Sequence, residues 1–142
     1  MKYTQTISIM VAAATPLFTF AGVVAAAPSP SFVQVTPSAV TSSKAIDAKD
    51  LVAAKKLVGT DGAFHGTVSS VYSPHEHSVV ILDFDKNYHS ALTAVVKPEV
   101  LAKFPSMQTL AGKHVIVSGK FIDYHGHPEI DLTDPAQVKV VK

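Results

Sequence analysis

Two His-x-His pairs, His75-Glu76-His77 and His125-Gly126-His127, are the residues of this chain whose type and spacing come nearest to a metal-ligand set. Imidazole is a common ligand of zinc, copper and nickel, so four histidines from two loops that the fold brings together could hold one ion, with Glu76 or Glu129 joining them. The pairs lack the rigid i, i+4 spacing of a helix, and surface histidines without a role give the same pattern. Tyrosine and lysine offer a second chemistry. Tyr72, Tyr88 and Tyr124 could stack on planar groups, while Lys86, Lys97, Lys113 and Lys120 could approach a phosphate chain. Against this stands the plainer reading, in which the lysines are solvated surface and Tyr124 packs a corner of the fold. Catalysis has less to draw on. There is no cysteine, no glycine-flanked nucleophile elbow and no phosphate-binding glycine loop. Asp83 and Asp85 fall on one face of a strand, where solvated carboxylates are the default. The chain reads as not an enzyme, and no cofactor is expected.

The elements that must position these groups follow from hydrophobic period. Residues 45–58 carry Ile46, Leu51, Val52, Ala54, Leu57 and Val58 near the helical repeat. Ser42 or Ser43 is available to cap the start, and Gly59 follows the end. A first strand covers residues 63–72, with Gly66 as its expected bend. A second covers 78–85, with Val80, Leu82 and Phe84 on one face and Val79, Ile81, Asp83 and Asp85 on the other. After a turn at Lys86-Asn87-Tyr88 a third strand covers 89–96. Pro98 then opens a short helix through Phe104, whose Val100, Leu101 and Phe104 point inward. Val115 and Val117 alternating with Ile116 and Ser118 mark a fourth strand, which Gly119 interrupts as a bulge or bend before it resumes as Phe121, Ile122 and Tyr124. His125-Gly126-His127-Pro128 is a tight turn, and Glu129-Ile130-Asp131-Leu132 alternates again as a fifth strand, extended by Val138 and Val140.

The segment from Gly112 to Val140 carries Gly-Lys-x-Val-x-Val-x-Gly-Lys, then Tyr-x-Gly-x-Pro-Glu-Ile-x-Leu, then Pro-x-Gln-Val. This resembles the closing segment of small secreted bacterial OB-fold proteins of the tRNA-anticodon-binding-like class. The resemblance spans residues 46–141 and is most specific over residues 124–137. It implies an all-β fold with small helices: a five-stranded OB-fold barrel in the order β-β-β-α-β-β, preceded by a short helix. OB-folds bind across the outer face of strands two and three, which here presents Val79, Ile81, Asp83, Ala91, Thr93 and Val95. The ligand-binding candidates are Tyr72, Ile81, Thr93, Lys120 and Tyr124. Pro128-Glu129-Ile130 and Asp134-Pro135 read as parts of the fold, Glu129 alternating with a buried Ile130.

Charge bears on the partner. The chain has 12 Lys+Arg against 11 Asp+Glu, all twelve being lysine. A phosphate binder normally carries a basic face, and arginine's fork is missing. The N-terminus begins Met1-Lys2 and continues as an apolar run ending in small residues, the pattern of a secretory signal peptide. The expected organisation is a signal peptide over residues 1–26, a flexible Pro/Ser/Thr-rich linker over 27–44 and an OB-fold domain over 45–142. No membrane span is expected after cleavage. The sequence therefore implies an exported module, periplasmic or secreted, that binds single-stranded nucleic acid or oligonucleotide weakly. The alternatives are an envelope protein or glycan partner, or a divalent metal at His75, His77, His125 and His127.

Overall fold

A computed structural model describes residues 30–76 and 78–142. The expected signal segment and His77 lie outside the described residues. β1 (Val33–Val35), α1 (Ser38–Ser42) and β2 (Ile46–Asp47) lead into α2 (Leu51–Leu57). β3 (Asp61–Thr67), β4 (Ser70–Tyr72), β5 (Val80–Asp83) and β6 (Thr93–Val96) follow. α3 (Pro98–Leu101), β7 (His114–Tyr124), β8 (His127–Leu132) and β9 (Val138–Val141) complete the chain.

The fold is mostly β, with a strongly curled sheet. β4 pairs with β5 and β5 with β6, both antiparallel, and β6 pairs in parallel with β8. β8 is antiparallel to β7, and β7 is antiparallel to β3. β3 and β4 are separated only by Val68 and Ser69, so this path of ladders returns to its own start around a single core. Inward residues alternate along each strand: Phe64, Leu82, Val96, Val115, Val117, Phe121, Ile130 and Leu132 are essentially inaccessible. Phe64 meets Phe84 edge-on at 4.9 Å between ring centroids, a favoured aromatic geometry.

Among the described residues nine strands stand where five are expected, and each difference has a local cause. The first expected strand breaks at Val68–Ser69, beyond Gly66, because Val68 N–H turns to the Lys113 carbonyl and Ser69 N–H to that of Asp83. Residues 89–92 are not strand. Asn87 accepts from His89 N–H at 3.1 Å, and a 3-10 turn over Tyr88–Ser90 results. Ile46 and Asp47, expected within the helix, pair in parallel with Phe64 and His65. The helix starts only where Asp50 accepts from Ala53 N–H. The third helix stops at Leu101, although Phe104 is buried as expected. In the segment expected to be a flexible linker, Phe32 enters the core and β1 pairs in parallel with β9. A large apolar ring within reach of the barrel outweighs the composition around it. β9 itself is an independent strand antiparallel to β7 rather than an extension of β8.

Between β8 and β9 the chain reverses on Gln137. Its Oε1 accepts from Thr133 N–H at 2.8 Å and Asp134 N–H at 2.9 Å, and its Nε2 donates to the Ser118 carbonyl at 3.0 Å. Asp134 caps Ala136 N–H in return, a reciprocal capping box. One side chain thus satisfies backbone groups on two segments. Gln137→Ala is expected to cost about 2 kcal/mol, summing several modest hydrogen bonds, read as a lower urea midpoint with an unchanged slope.

Candidate functional site

The curled sheet places one in-register row across its outer face: Ser70, Asp83, Thr93, Glu129 and Ile122, each on its own strand. A cleft of about 720 Å³ lies over the middle of this row, with Asp83, Thr93 and Glu129 among its lining residues. Tyr72 stands two residues beyond Ser70 and Tyr124 two beyond Ile122, on opposite sides of the row in the ladder register, and both line the cleft. Tyr88 and His89 enter from the 3-10 turn, and Leu51 and Lys55 from α2. The three tyrosines are 53%, 55% and 59% exposed for Tyr72, Tyr88 and Tyr124. Such exposure in a cleft leaves their faces open for stacking.

The hairpin β7–β8 supplies the other wall. His125 and Gly126 both have positive φ, 53° and 82°, and Tyr124 pairs with His127, so the loop is a two-residue primed turn. Asp123 accepts from Gly126 N–H at 2.7 Å and fixes it. The turn is therefore His125-Gly126, while His127 and Pro128 already belong to β8. Tyr88 packs on His89 at 3.8 Å, His89 meets His127 edge-on at 6.4 Å, and Tyr124 meets His125 at 4.5 Å.

The floor is made of acceptors. Ser70 Oγ donates to Asp83 at 3.1 Å, and Thr93 Oγ1 donates to Glu129 Oε2 at 3.4 Å. Burial raises the Glu129 carboxyl above its ordinary value and neighbouring Asp131 adds to this, against Thr93 and Lys97. Burial likewise raises Asp83, opposed by the Ser70 hydrogen bond and by His127. His127 is held below the usual imidazole range by burial first and by His89 second; a backbone hydrogen bond to Ala91 and the charge of Asp123 oppose the shift. Among the described residues His127 Nε2 is buried without a hydrogen-bond partner. A neutral ring that keeps its proton on Nδ1, toward Ala91, presents Nε2 as a lone acceptor.

A folded carboxyl with a raised pKa binds its proton more tightly than the unfolded chain does. The Glu129 contribution is thus fully present below the unfolded value of about 4.3 and is lost as pH rises through the folded value. His127 works in a different window: its lowered pKa costs stability as pH falls below about 6.5. Glu129→Gln is accordingly expected to raise the urea midpoint at pH 7, with the gain shrinking toward pH 4.

Four of the five ligand-binding candidates, Tyr72, Ile81, Thr93 and Tyr124, converge on the cleft. Lys120 does not line it: four residues of extended chain, about 13 Å, separate it from Tyr124, and it pairs in register with Asp61. Of the other lysines, Lys97 is bound to Asp131 at 2.6 Å, and Lys55 is the lysine that reaches the cleft. Ala91, Thr93 and Val95, expected on the open outer face, are buried, Thr93 at the bottom of the cleft it lines. His125 and His127 line the cleft while His75 does not, and among the described residues no three His, Asp or Glu side chains group closely enough for an ion. Sequence reasoning missed His89, placed in a strand, and missed the cleft role of Glu129, weighed only as an added metal ligand or as part of the fold. The Asp85-x-Asn87 pair of local caps was the available signal for the first; its register opposite Thr93 decides the second. Among the described residues no helix is long and apolar enough to cross a membrane.

No protein-family model matches the chain, and no curated protein matches it in sequence. Among solved structures it is similar to an aspartyl tRNA synthetase from Entamoeba histolytica, with a TM-score of 0.52 and 17% sequence identity. The match covers 78% of this chain and 24% of that one. At this identity the likeness speaks for the fold, an all-β OB-like architecture, and for the fold alone.

Proposed function

We propose that this chain is an exported, non-enzymatic OB-type binding module that holds single-stranded nucleic acid by stacking bases over the tyrosine cleft. In this reading β3 and β4 count as one strand and, with β5, β6, β7 and β8, form a five-stranded barrel to which the remaining strands are additions. The observation that carries it is the presence of three exposed tyrosines around a cleft on the face that OB sheets use for ligands. Stacking on aromatic rings contributes about 1–3 kcal/mol per base and tolerates many sequences. Export rests on the N-terminal sequence pattern.

The charge distribution sets the mode. Asp83 and Glu129 face the cleft while Lys55 is the lysine at its rim, so bases lie inward and phosphates outward. Affinity is then weak, and its salt dependence is shallow: a slope of log K against log salt near −0.7, for about one phosphate neutralised on a single strand. Fluorescence anisotropy of labelled 12-mers from low to moderate salt measures this. Absence of binding to every single strand at low salt would overturn the reading.

The carboxylates favour one second reading, an oligosaccharide whose hydroxyls donate to Asp83 and Glu129 while its ring faces lie on the tyrosines. Quenching of tyrosine fluorescence by soluble oligosaccharides, with no response to oligonucleotides, would select it.

A further inference from the structure

The polar atoms left free on the floor of the cleft share one chemistry. Glu129 Oε2 is engaged by Thr93, and among the described residues its Oε1 has no hydrogen bond. Asp83 Oδ2 is engaged by Ser70, which leaves Oδ1. His127 Nε2 is buried and unpartnered. Ser70 and Thr93, the hydroxyls of the same row, each spend their proton on the neighbouring carboxylate. What the sheet offers upward is therefore a line of acceptors whose donors are already committed. A buried acceptor that meets another acceptor is left unsatisfied and costs more than a hydrogen bond gains.

Resting on the single-strand reading above, we propose that this floor makes the cleft selective among bases, favouring those with an exocyclic amine, cytosine above all other pyrimidines, and rejecting uracil and thymine. A cytosine stacked on one of the tyrosines lowers its N4 amine toward Glu129 or Asp83, the pairing by which carboxylates read cytosine elsewhere. Uracil carries a carbonyl at that position in place of the amine, and its one donor on this edge, N3–H, sits one ring atom further in, so a base seated with position 4 on the floor points a second acceptor at it. The rejection is stronger than the attraction, because a site built to accept leaves its own groups unpaired against the wrong base. The neutral His127 ring acts in the same sense, since its free nitrogen also accepts. The raised pKa of Glu129 adds a pH signature: once protonated the carboxyl can donate, and discrimination falls.

Oligo-dC and oligo-dU 12-mers provide the test, being matched in length, ring size and charge, so that stacking and phosphate contacts are held equal. Anisotropy titrations at pH 7.5 and low salt are expected to give dC affinity about tenfold above dU, one good base contact's worth of discrimination. The ratio is expected to fall toward one in Glu129→Gln, whose amide can donate as well as accept, with circular dichroism checking that the variant is folded. Asp83→Asn is the second variant should the first fail to fold. Equal affinity for dC and dU in the wild type overturns the selectivity and leaves the single-strand reading standing. An undiminished ratio in both variants overturns the role of the floor. Failure of both oligomers to bind overturns the single-strand reading, and this inference with it.

Discussion

Gly119→Ala is expected to lower the free energy of unfolding by about 3 kcal/mol, through forced displacement in a packed core. At roughly 4–8 °C per kcal/mol for a domain of this size, the melting temperature falls by about 12–24 °C. β7 is the reason. Along one edge it pairs with β3 from His114 to Lys120; along the other it pairs with β9 at Val115–Val117 and then with β8 from Phe121 onward. Gly119 sits where the second edge changes partner, with φ of 154°. A Cβ there would lie 2.6 Å from Gln137 Nε2 and 2.9 Å from Ile130 Cγ2. The glutamine end could swing away only by giving up its bond to the Ser118 carbonyl. Ile130 is fully buried and has no room to yield. Because both substitutions act on the same contact, Gly119→Ala and Gln137→Ala together should cost less than the sum of the two. Differential scanning calorimetry on the single and double variants measures this; a melting temperature within a few degrees of the parent for Gly119→Ala would refute the account of the corner.

The second large effect is on binding. Tyr72→Ala and Tyr124→Ala are each expected to weaken oligonucleotide affinity about tenfold, and the pair about a hundredfold. The two rings stand on opposite sides of the floor row and on different strands, so each serves a different base and their losses add. Both are more than half exposed, so removing them leaves the core untouched and stability within about 0.5 kcal/mol of the parent. Lys120→Ala is the contrasting control. It lies outside the cleft and its loss should change affinity by less than about twofold, whereas a basic groove running along β7 would make it as damaging as either tyrosine.

Much of this molecule is written in local pattern. Alternation at Val80, Leu82 and Phe84 and at Val115, Val117 and Phe121 assigned the inward faces, and each of these residues is buried. A strand's period of two leaves no freedom once one face is apolar. His125-Gly126-His127-Pro128 announced a turn by composition, and the two successive positive φ angles fall on its first half, His125 and Gly126. The same local logic put Ile81 and Thr93 on the binding face by parity, and nearness to the loops put Tyr72 and Tyr124 at its rim; all four line the cleft.

Register and distance were another matter. No local feature of Glu129 says that it stands opposite Thr93 on a parallel neighbour drawn from far along the chain, yet that pairing turns a carboxylate of the fold into the floor of a cleft. Phe32, set among prolines and serines, joins the core because a folded barrel has a place for its ring. His89 leaves its strand because Asn87 caps a turn. Sequence determined which side chains face in and which face out, because that depends on neighbours one and two residues away. Tertiary structure decided which outward groups meet, because ladder pairing joins residues whose separation along the chain carries no periodic signal.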